Sequence, residues 1–223
     1  MTASETQTEL TYHRLRADIL NGNLQPGSAL QFAQLRETYA ASMGVLREAL
    51  TRLTAEGLAT SRAQQGFRVV EVSLKDLNDL TNVRVLIETA ALREAVAYGE
   101  LDWESDIVSA YHRMTRTEKH INGDENTVTD DWAQAHQVFH FALLSAAPNT
   151  RLIAIADGLR ASAELYRRWS MPYETVKRDV DAEHQELMEL ALARQSNEAC
   201  DALARHLSFT RELIVKGTES ARQ

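Results

Sequence analysis

The spacing of hydrophobic residues between positions 42 and 57 predicts an amphipathic helix. Four of them recur at the three-and-four interval that places side chains on one buried helix face: Leu46, Ala49, Leu50 and Leu53. Ser42 has the side chain to cap the start of this helix, and Gly57 can end it. Arg47, Glu48 and Arg52 fall on the other faces, so we expect their charges to remain in water.

The segments on either side of this helix complete a known arrangement. Helices are predicted upstream, from Thr11 to Leu20 and over residues 32–39. Downstream, two β-prone runs at residues 58–60 and 67–70, joined by a polar loop that ends in Gly66, predict a hairpin. Together these elements describe a winged helix-turn-helix, whose second helix lies in the DNA major groove. Periodicity alone fits a small helical subdomain without a partner equally well.

The rest of the chain keeps the helical period and shows no strand pattern. Helices are predicted over residues 74–99, 103–121, 129–147, 150–170, 174–194 and 197–216, with breaks that include Asn122-Gly123 and Pro172. Amphipathic helices with short connections indicate an all-α bundle of six to seven helices. We therefore expect a mainly α protein, with a winged helix-turn-helix over residues 8–72, a helical domain over residues 73–218, and disorder in residues 1–8.

Charge is distributed unevenly between these two predicted domains. The 223 residues carry a net charge of −8, yet residues 10–70 hold seven arginines against four acidic residues. From Ser73 onward, 17 basic residues face 25 acidic ones. Phosphates repel an acidic surface, so only the first domain can bind DNA. Its modest positive charge implies that two copies of the chain are needed for useful affinity.

The chain has the composition of a cytoplasmic protein. A single cysteine, Cys200, excludes an internal disulfide and fits a reducing compartment. No apolar run approaches the roughly 20 residues of a membrane span. The first residues lack the basic and apolar regions of a signal peptide. We therefore expect no membrane partner.

Four of the seven histidines have a spacing that suits a metal site. His136 and His140 are four residues apart and share one face of a predicted helix, while His184 and His206 lie on two later helices. In an antiparallel bundle all four can face one cavity, where imidazoles commonly hold a transition metal. Spacing alone favours the alternative, in which such histidines are hydrogen-bonded core residues.

The first domain resembles the GntR family of bacterial transcription regulators. The resemblance rests on several segments in order: Leu46-Arg-Glu-Ala-Leu50, Leu53, Ala55-Glu-Gly-Leu58 and Gly66-Phe67-Arg-Val69, and upstream Leu15, Ile19, Gly22, Leu24, Pro26-Gly27 and Leu30. The second domain resembles the FadR-type (FCD) effector domain at Arg84-Val-Leu-Ile-Glu88, Phe139-His140, Ala142-Leu143-Leu144, Asn149, Glu183-His184 and His206. Within the family, the sequence around these positions is most similar to that of CsiR-type members.

The GntR resemblance implies a DNA-contacting surface on the second helix and the wing. The implied contacts are Ser42, Met43, Gly44, Arg47, Arg52, Gly66 and Arg68. Arg47 matches a nearly universal family arginine, which can meet either a phosphate or a base edge. Met43 and Ala33 stand where many members carry DNA-contacting arginines, so family operator sequences do not transfer directly.

The FCD resemblance implies a divalent transition metal ion, with zinc preferred and nickel or copper possible. Family members supply an Asp and three His; here His140, His184 and His206 match the histidines, and His136 replaces the Asp. Four neutral imidazoles leave the charge of the ion uncompensated by protein, so the site should accept an anion such as a carboxylate.

The effector implied by this domain is a small organic acid, and arginine binds carboxylates well. Arg84 matches an arginine that often faces the family's cavity, although an intrahelical pair with Glu88 is an equal alternative. Arg160 and Arg167 lie seven residues apart and can share a face. For both of these, exposure on the surface is the favoured alternative.

Taken together, these features predict a ligand-responsive repressor that binds a palindromic double-stranded operator as a homodimer. One alternative is a metal-free FadR-type sensor of a larger acyl ligand, in which the histidines only pack. A metal-dependent enzyme on a helical bundle is disfavoured. Glu183 and Asp131 lie close in sequence to the candidate ligands, but no nucleophile arrangement, P-loop or dinucleotide fingerprint accompanies them.

Overall fold

A computed structural model describes residues 6–62, 64–121, 128–170 and 179–220 of the chain. Over these residues it contains nine α-helices and one two-stranded sheet: α1 Gln7–Leu20, α2 Phe32–Tyr39, α3 Met43–Ala55, β1 Ala59–Arg62, β2 Gly66–Val69, α4 Leu74–Tyr98, α5 Leu101–Arg116, α6 Asp130–Leu144, α7 Thr150–Ser170, α8 Val180–Leu192 and α9 Ser196–Ser220. The chain divides into two compact units. The first comprises the chain up to Ser73 together with Ala161–Tyr166 of α7, and the second comprises the remaining residues. This is the mainly α fold, with an N-terminal winged helix-turn-helix and a helical bundle, that the sequence predicts.

The first unit is built on the packing of α1 against α3. Leu15 and Ile19 of α1 are completely buried. The α3 residues predicted to form its buried face are also completely buried: Leu46, Ala49, Leu50 and Leu53. Burial of four such side chains stabilises the unit by several kcal/mol, at roughly 1.5–3 kcal/mol for a fully buried large aliphatic side chain.

Helix α1 begins four residues earlier than predicted, and residues 7 and 8 are helical rather than disordered. The reason is a capping box, in which the Thr6 hydroxyl accepts a hydrogen bond from the Glu9 amide while the Glu9 carboxylate accepts one from the Thr6 amide. These two bonds satisfy amide groups that a helix start otherwise leaves unpaired.

The wing is an antiparallel hairpin in which Ala59 pairs with Val69 and Arg62 pairs with Gly66. The predicted strands were displaced from the observed ones by one or two residues. Gly66 has a φ of +75°, in the left-handed region that glycine adopts without steric cost. A glycine at this position therefore lets the chain turn back into β2.

The second unit is a bundle in which α4 packs against α9, α5 against α6 and α8, and α8 against α9. Its core includes completely buried side chains from several of these helices, among them Leu92, Ile107, Phe139 and Leu143. This packing places the inward faces of α6, α8 and α9 in one interior region, and the histidines lie on these faces.

Several helix ends in this unit differ from the prediction, and helix α6 ends at Leu144 rather than residue 147. Helix α5 ends at Arg116 rather than residue 121, because Thr117 has an extended backbone. Helix α8 begins at Val180, where the Asp179 side chain accepts a hydrogen bond from the Ala182 amide. The predicted helix start at residue 174 and the breaks at 122–123 and Pro172 lie outside the described residues. Helix α9 continues to Ser220, past the predicted end at residue 216.

Across the part of the chain that is described, none of the helices combines the length and apolar character that crossing a membrane requires.

Candidate functional site

Four histidine side chains converge inside the second unit. His136 and His140 lie one turn apart on α6, His184 lies on α8, and His206 lies on α9. One ring nitrogen of each histidine lies within 4.8 Å of a ring nitrogen of every other. The structure thus brings together the four histidines that the sequence identifies as a set, and we call them the histidine cluster.

The histidine cluster has the donor chemistry of a transition-metal site, and its two α6 members have the matching spacing. The Nε2 atoms of His136 and His140 are 3.2 Å apart. Ligand atoms around a tetrahedral zinc ion, at zinc–nitrogen distances of about 2.0–2.1 Å, are separated by roughly 3.3 Å. Imidazole nitrogens suit Zn²⁺, Ni²⁺ or Cu²⁺, whereas Mg²⁺ and Ca²⁺ prefer oxygen ligands. The residues present therefore fit a transition-metal ion.

Aromatic side chains hold three of these rings in place. The Trp132 ring stacks on His136, with centroids 4.8 Å apart and an interplanar angle of 22°. Phe139 is completely buried, and its ring centroid lies 5.5 Å from that of His140 and 5.4 Å from that of His184. Rings packed in this way lose little further freedom when they bind a ligand, which favours binding.

Burial lowers the pKa of His136 and of His140 well below the ordinary value of 6.5. The other imidazoles of the cluster and nearby arginines lower it further, because a second positive charge in the same place is repelled: Arg167 acts on His136, while Arg160 and Arg84 act on His140. Both rings are therefore neutral near pH 7, which is the protonation state that binds a metal.

Outside the cluster itself, His206 has a carboxylate partner. Its Nδ1 lies 2.8 Å from Oε2 of Glu183, a residue on α8 directly before His184. The His206 side chain is 9% exposed and that of Glu183 is 29% exposed, so water weakens this contact only in part. A carboxylate accepts hydrogen bonds, so it favours the His206 tautomer that carries its proton on Nδ1.

Arg84 makes the intrahelical contact that was one of its two predicted roles. Its Nε donates to Oε1 of Glu88 at 2.7 Å, and the Glu88 side chain is only 1% exposed. The other oxygen of Glu88, Oε2, is buried without a hydrogen-bond partner among the described residues. Arg84 therefore neutralises a buried carboxylate on its own helix.

Arg160 is buried, so the favoured expectation that it is exposed on the surface was wrong. Only 8% of the residue is exposed, and its Nη2 donates to the backbone carbonyl of His140 at 3.3 Å. Its Nε is buried and has no hydrogen-bond partner in the described part of the chain. Helical spacing alone marks an arginine as polar, and the interior position of Arg160 follows from the tertiary packing of α7.

Arg167 is partly buried and lies against the aromatic wall of the cluster. Its guanidinium carbon is 5.3 Å from the centroid of the Trp132 ring, which stacks on His136. A cation over an aromatic face is attracted by the electron-rich ring. The three predicted effector arginines thus act near the histidine cluster: Arg160 bonds to the His140 carbonyl, Arg167 lies on Trp132, and Arg84 acts on His140 through its charge.

The predicted DNA-contacting residues of α3 lie on an exposed surface. Ser42 caps α3, and its hydroxyl accepts a hydrogen bond from the Val45 amide at 3.3 Å. Met43 is 41% exposed, and Gly44 is exposed as well. Arg47 is exposed one turn later, with its guanidinium carbon 5.7 Å from the Phe32 ring centroid. This arrangement leaves both backbone and cationic groups available to a nucleic acid.

Arg52 is occupied by contacts within the first unit. Its guanidinium carbon lies 3.7 Å from the centroid of the Tyr12 ring, and its Nε lies 3.4 Å from Oε1 of Glu56. The Tyr12 hydroxyl donates to the same carboxylate at 2.7 Å. Burial and this hydrogen bond raise the pKa of Tyr12 to about 12. These contacts join α1 to the end of α3, and a DNA contact by Arg52 stays a prediction.

The wing carries the last two predicted DNA contacts. Arg68 is exposed, and its Nη1 donates to the backbone carbonyl of Gly27 at 2.7 Å. Gly66 is exposed at the start of β2, and a side chain added there would meet open space. The hairpin tip therefore has room to approach another molecule closely.

Comparison with known families identifies both units. Residues 7–69 match the family described as bacterial regulatory proteins of the gntR family, and residues 79–209 match the FCD domain. The chain belongs to the GntR family, FCD group. It is a DNA-binding transcription regulator and not an enzyme, as the sequence predicts. Its narrower assignment to CsiR-type members stays a prediction.

Curated relatives of this GntR-family chain carry the same description. It is 37% identical to the HTH-type transcriptional regulator BphR of Paraburkholderia xenovorans, over 92% of this chain and 84% of the relative. It is 32% identical to the HTH-type transcriptional repressor GlaR of Escherichia coli, over 88% of this chain and 90% of the relative. These matches span nearly the whole length of both partners.

Solved structures share the fold. A GntR-type regulator from Rhodococcus sp. RHA1 matches with a TM-score of 0.70 at 20% identity, covering 94% of this chain and 98% of that one. McbR/YncC of Escherichia coli matches with a TM-score of 0.70 at 18% identity, covering 97% and 99%. At this level of identity the likeness concerns the fold alone.

Two residues near the histidine cluster were not recognised from the sequence as part of it. Trp132 stacks on His136, and Glu183 contacts His206. For Trp132 the signal was available, since it precedes His136 by one helical turn. Glu183 was noted only as a neighbour of His184, and its contact with α9 depends on tertiary packing.

Proposed function

We propose that this GntR-family regulator is a metal-dependent repressor that senses a small carboxylate. The winged helix-turn-helix, over residues 8–72, binds the operator, and the helical domain, over residues 73–218, binds the metal and the effector. Two copies of the chain act together as a homodimer on a palindromic site in the cytoplasm. The repressor name of one relative, GlaR, supports the sign of regulation.

The convergence of four imidazoles, two of which burial keeps neutral, is the observation that carries the metal assignment. The ring centroids of these histidines lie between 4.5 Å and 6.4 Å apart, so the four rings gather around a common point. His136, His140, His184 and His206 would hold the ion. A bound ion supplies a Lewis-acid position to which a carboxylate can attach.

Metal analysis of the purified protein tests this assignment. We expect about one zinc or nickel ion per chain in the wild type, and a loss of most of it in His140→Ala and His184→Ala. His112→Ala, which removes an exposed histidine on α5, is the matched control and should retain the metal. Negligible metal in the wild type and all variants would contradict the assignment and favour a metal-free sensor of an acyl ligand.

Charge near the histidine cluster supports an anionic effector. Arg84 and Arg160 both act on His140, while Glu88 is held by Arg84. Arg160 stays charged at neutral pH even though burial lowers its pKa. Its buried Nε lacks a hydrogen-bond partner in the described residues, and a buried donor without an acceptor costs about 1–3 kcal/mol. A carboxylate of the effector would satisfy this donor.

A thermal-shift screen of small mono- and dicarboxylates, with and without chelator, tests the effector class. A ligand that binds only the folded protein raises its melting temperature in proportion to occupancy. We expect hits that need the metal and that disappear in Arg160→Gln. Arg93→Gln, on a different face of the bundle where Arg93 contacts Asn197, is the control. A screen without any metal-dependent carboxylate hit would contradict the effector class.

Repression would operate through the spacing of the two recognition helices. A palindromic operator presents two half-sites at a fixed separation, and both α3 helices of the dimer must match it. Effector binding in the helical domain shifts the population of dimers toward an arrangement in which the two α3 helices match the half-sites poorly. Arg47, Ser42 and Gly44 would make the principal contacts, with Met43, Arg52, Gly66 and Arg68 around them.

A further inference from the structure

The contact between Glu183 and His206 points to a second layer of the proposed metal centre. We propose that Glu183 is a positioning residue, whose carboxylate fixes the ring of His206 and supplies negative charge that the four imidazoles lack. This inference rests on the proposed metal site. The contact, between Oε2 of Glu183 and Nδ1 of His206, measures 2.8 Å.

The tautomer of His206 determines which of its ring nitrogens can bind a metal ion. A neutral imidazole carries one N–H and one lone pair, and an ionised carboxylate can only accept a hydrogen bond. The proton of His206 therefore lies on Nδ1, toward Glu183, and the lone pair lies on Nε2. Hydrogen bonds of this kind fix ring orientation and make the imidazole a stronger ligand.

The positive charge around the histidine cluster favours a carboxylate at this position. The histidine cluster contains no acidic member among the described residues, and Arg84, Arg160 and Arg167 add positive potential around it. The Glu88 carboxylate is already paired with Arg84. A carboxylate one hydrogen bond away from the ion lowers the cost of placing two positive charges in a buried site.

The neighbouring ion pair on the same two helices shows what a purely structural contact looks like. Glu186, three residues further along α8, accepts a hydrogen bond from Arg205 of α9 at 3.0 Å. These two side chains are 50% and 64% exposed. The Glu183–His206 contact is far less exposed, since only 9% of the His206 side chain reaches solvent. The Glu186–Arg205 contact therefore serves as a matched control for the Glu183–His206 contact, because both join α8 to α9.

The test is a competition titration of Zn²⁺ between the whole protein and a chromogenic chelator. We expect Glu183→Ala to weaken zinc binding by about 10- to 100-fold, which is the usual effect of removing such a partner. Glu183→Gln keeps an acceptor but loses the charge, so its loss should be smaller. Glu186→Gln removes the same charge from the same helix and should bind zinc as the wild type does.

A second readout separates positioning from stability. The visible absorption of bound Co²⁺ reports ligand geometry, and we expect it to change in both Glu183 variants but not in Glu186→Gln. Melting temperatures measured in excess chelator should be similar for Glu183→Gln and Glu186→Gln. If Glu183→Ala does not fold, the comparison of the two glutamine variants decides the question.

The two proposals fail in different ways. If the wild type binds no zinc, both the metal centre and the role of Glu183 are overturned. If the wild type binds zinc and Glu183→Ala or Glu183→Gln binds it equally well with an unchanged Co²⁺ spectrum, only the role of Glu183 is overturned.

Discussion

At the scale of single residues, the interior of the helical domain contains histidine rings where most proteins have hydrophobic side chains. His184 is completely buried and His140 is 5% exposed, beside the completely buried Phe139. Burial lowers the pKa of His140 well below its ordinary value, so this ring is neutral near pH 7. The cost of these polar rings in the core is offset when a metal binds their lone pairs, since metal binding then contributes to folding.

The lowered pKa values of His136 and His140 predict that the metal-free protein loses stability in mild acid. An unfolded histidine binds a proton below its ordinary pKa of 6.5, whereas the folded rings stay neutral until a lower pH. The free energy of unfolding should therefore fall as the pH drops below 6.5, by about 1.4 kcal/mol per pH unit for each such histidine.

Urea unfolding in excess chelator at pH values of about 7.5 and about 5.5 measures this dependence. The double variant His136→Ala/His140→Ala should show a shallower dependence, and His112→Ala should match the wild type. An unfolding free energy that is equal at both pH values would contradict the neutral state of the buried rings.

We predict that Arg47 makes the contact that contributes most to DNA affinity. It is exposed on α3, with its guanidinium carbon 5.7 Å from the Phe32 ring centroid, so Arg47→Ala should leave the fold intact. Loss of a base or phosphate contact costs about 1–3 kcal/mol per chain, and a dimer loses it twice. Fluorescence anisotropy with promoter DNA at physiological salt should show nearly complete loss of binding.

Arg113→Ala, an exposed arginine on α5, is the charge-matched control for this prediction. It should bind DNA as the wild type does, and both variants should give the circular dichroism of the wild type. Wild-type affinity in Arg47→Ala would refute the assigned role of α3.

The role of a side chain could be predicted from the sequence where its contacts lie within its own helix. The one-turn spacing of His136 and His140 and the pair between Arg84 and Glu88 follow from helical geometry alone. The burial of Arg160 and the contact of Glu183 with His206 depend on where α7 and α9 pack. No local pattern encodes that packing, so these two features required the structure.

At the scale of elements, α3 depends on its two ends. Ser42 caps its start, and Gly57, with a φ of +73°, follows its last turn in a conformation that suits glycine. Both ends were predicted from residue type, because caps act through local backbone geometry. The end of α5 and the start of α1 were misplaced, since an extended Thr117 and a polar capping box at Thr6 leave no hydrophobic signal.

The cap of α3 predicts a measurable loss of stability in Ser42→Ala. Without the hydroxyl, the Val45 amide loses its acceptor, and such a substitution costs about 1 kcal/mol. Ser42→Asn retains a capping oxygen and should remain close to the wild type. Urea unfolding followed by circular dichroism checks both variants, and wild-type stability in Ser42→Ala would show that the cap contributes nothing.

At the scale of the whole molecule, charge is distributed unevenly between the two domains. Residues 10–70 hold seven arginines against four acidic residues, while the residues from Ser73 onward are strongly acidic. DNA affinity is supplied largely by contacts with phosphates, so we expect one such unit to bind weakly and two to bind well. This division supports a dimer that binds two half-sites.

A dimer with fixed half-site spacing predicts sensitivity to the length of the operator. Inserting about five base pairs between the half-sites turns one of them to the opposite face of the duplex. We expect affinity to fall by at least roughly tenfold, because only one half-site is then engaged. Anisotropy with the footprinted promoter site and the lengthened site tests this, and equal affinity would indicate binding by independent monomers.

The most direct test of the account is a DNA-binding titration of the zinc-containing protein in the presence of a carboxylate that raises its melting temperature. We predict that the carboxylate weakens binding to promoter DNA by about 5- to 150-fold, and that chelator abolishes this effect. If DNA affinity is unchanged by every carboxylate that stabilises the zinc-containing protein, the histidine cluster does not control the winged helix-turn-helix and the account is wrong.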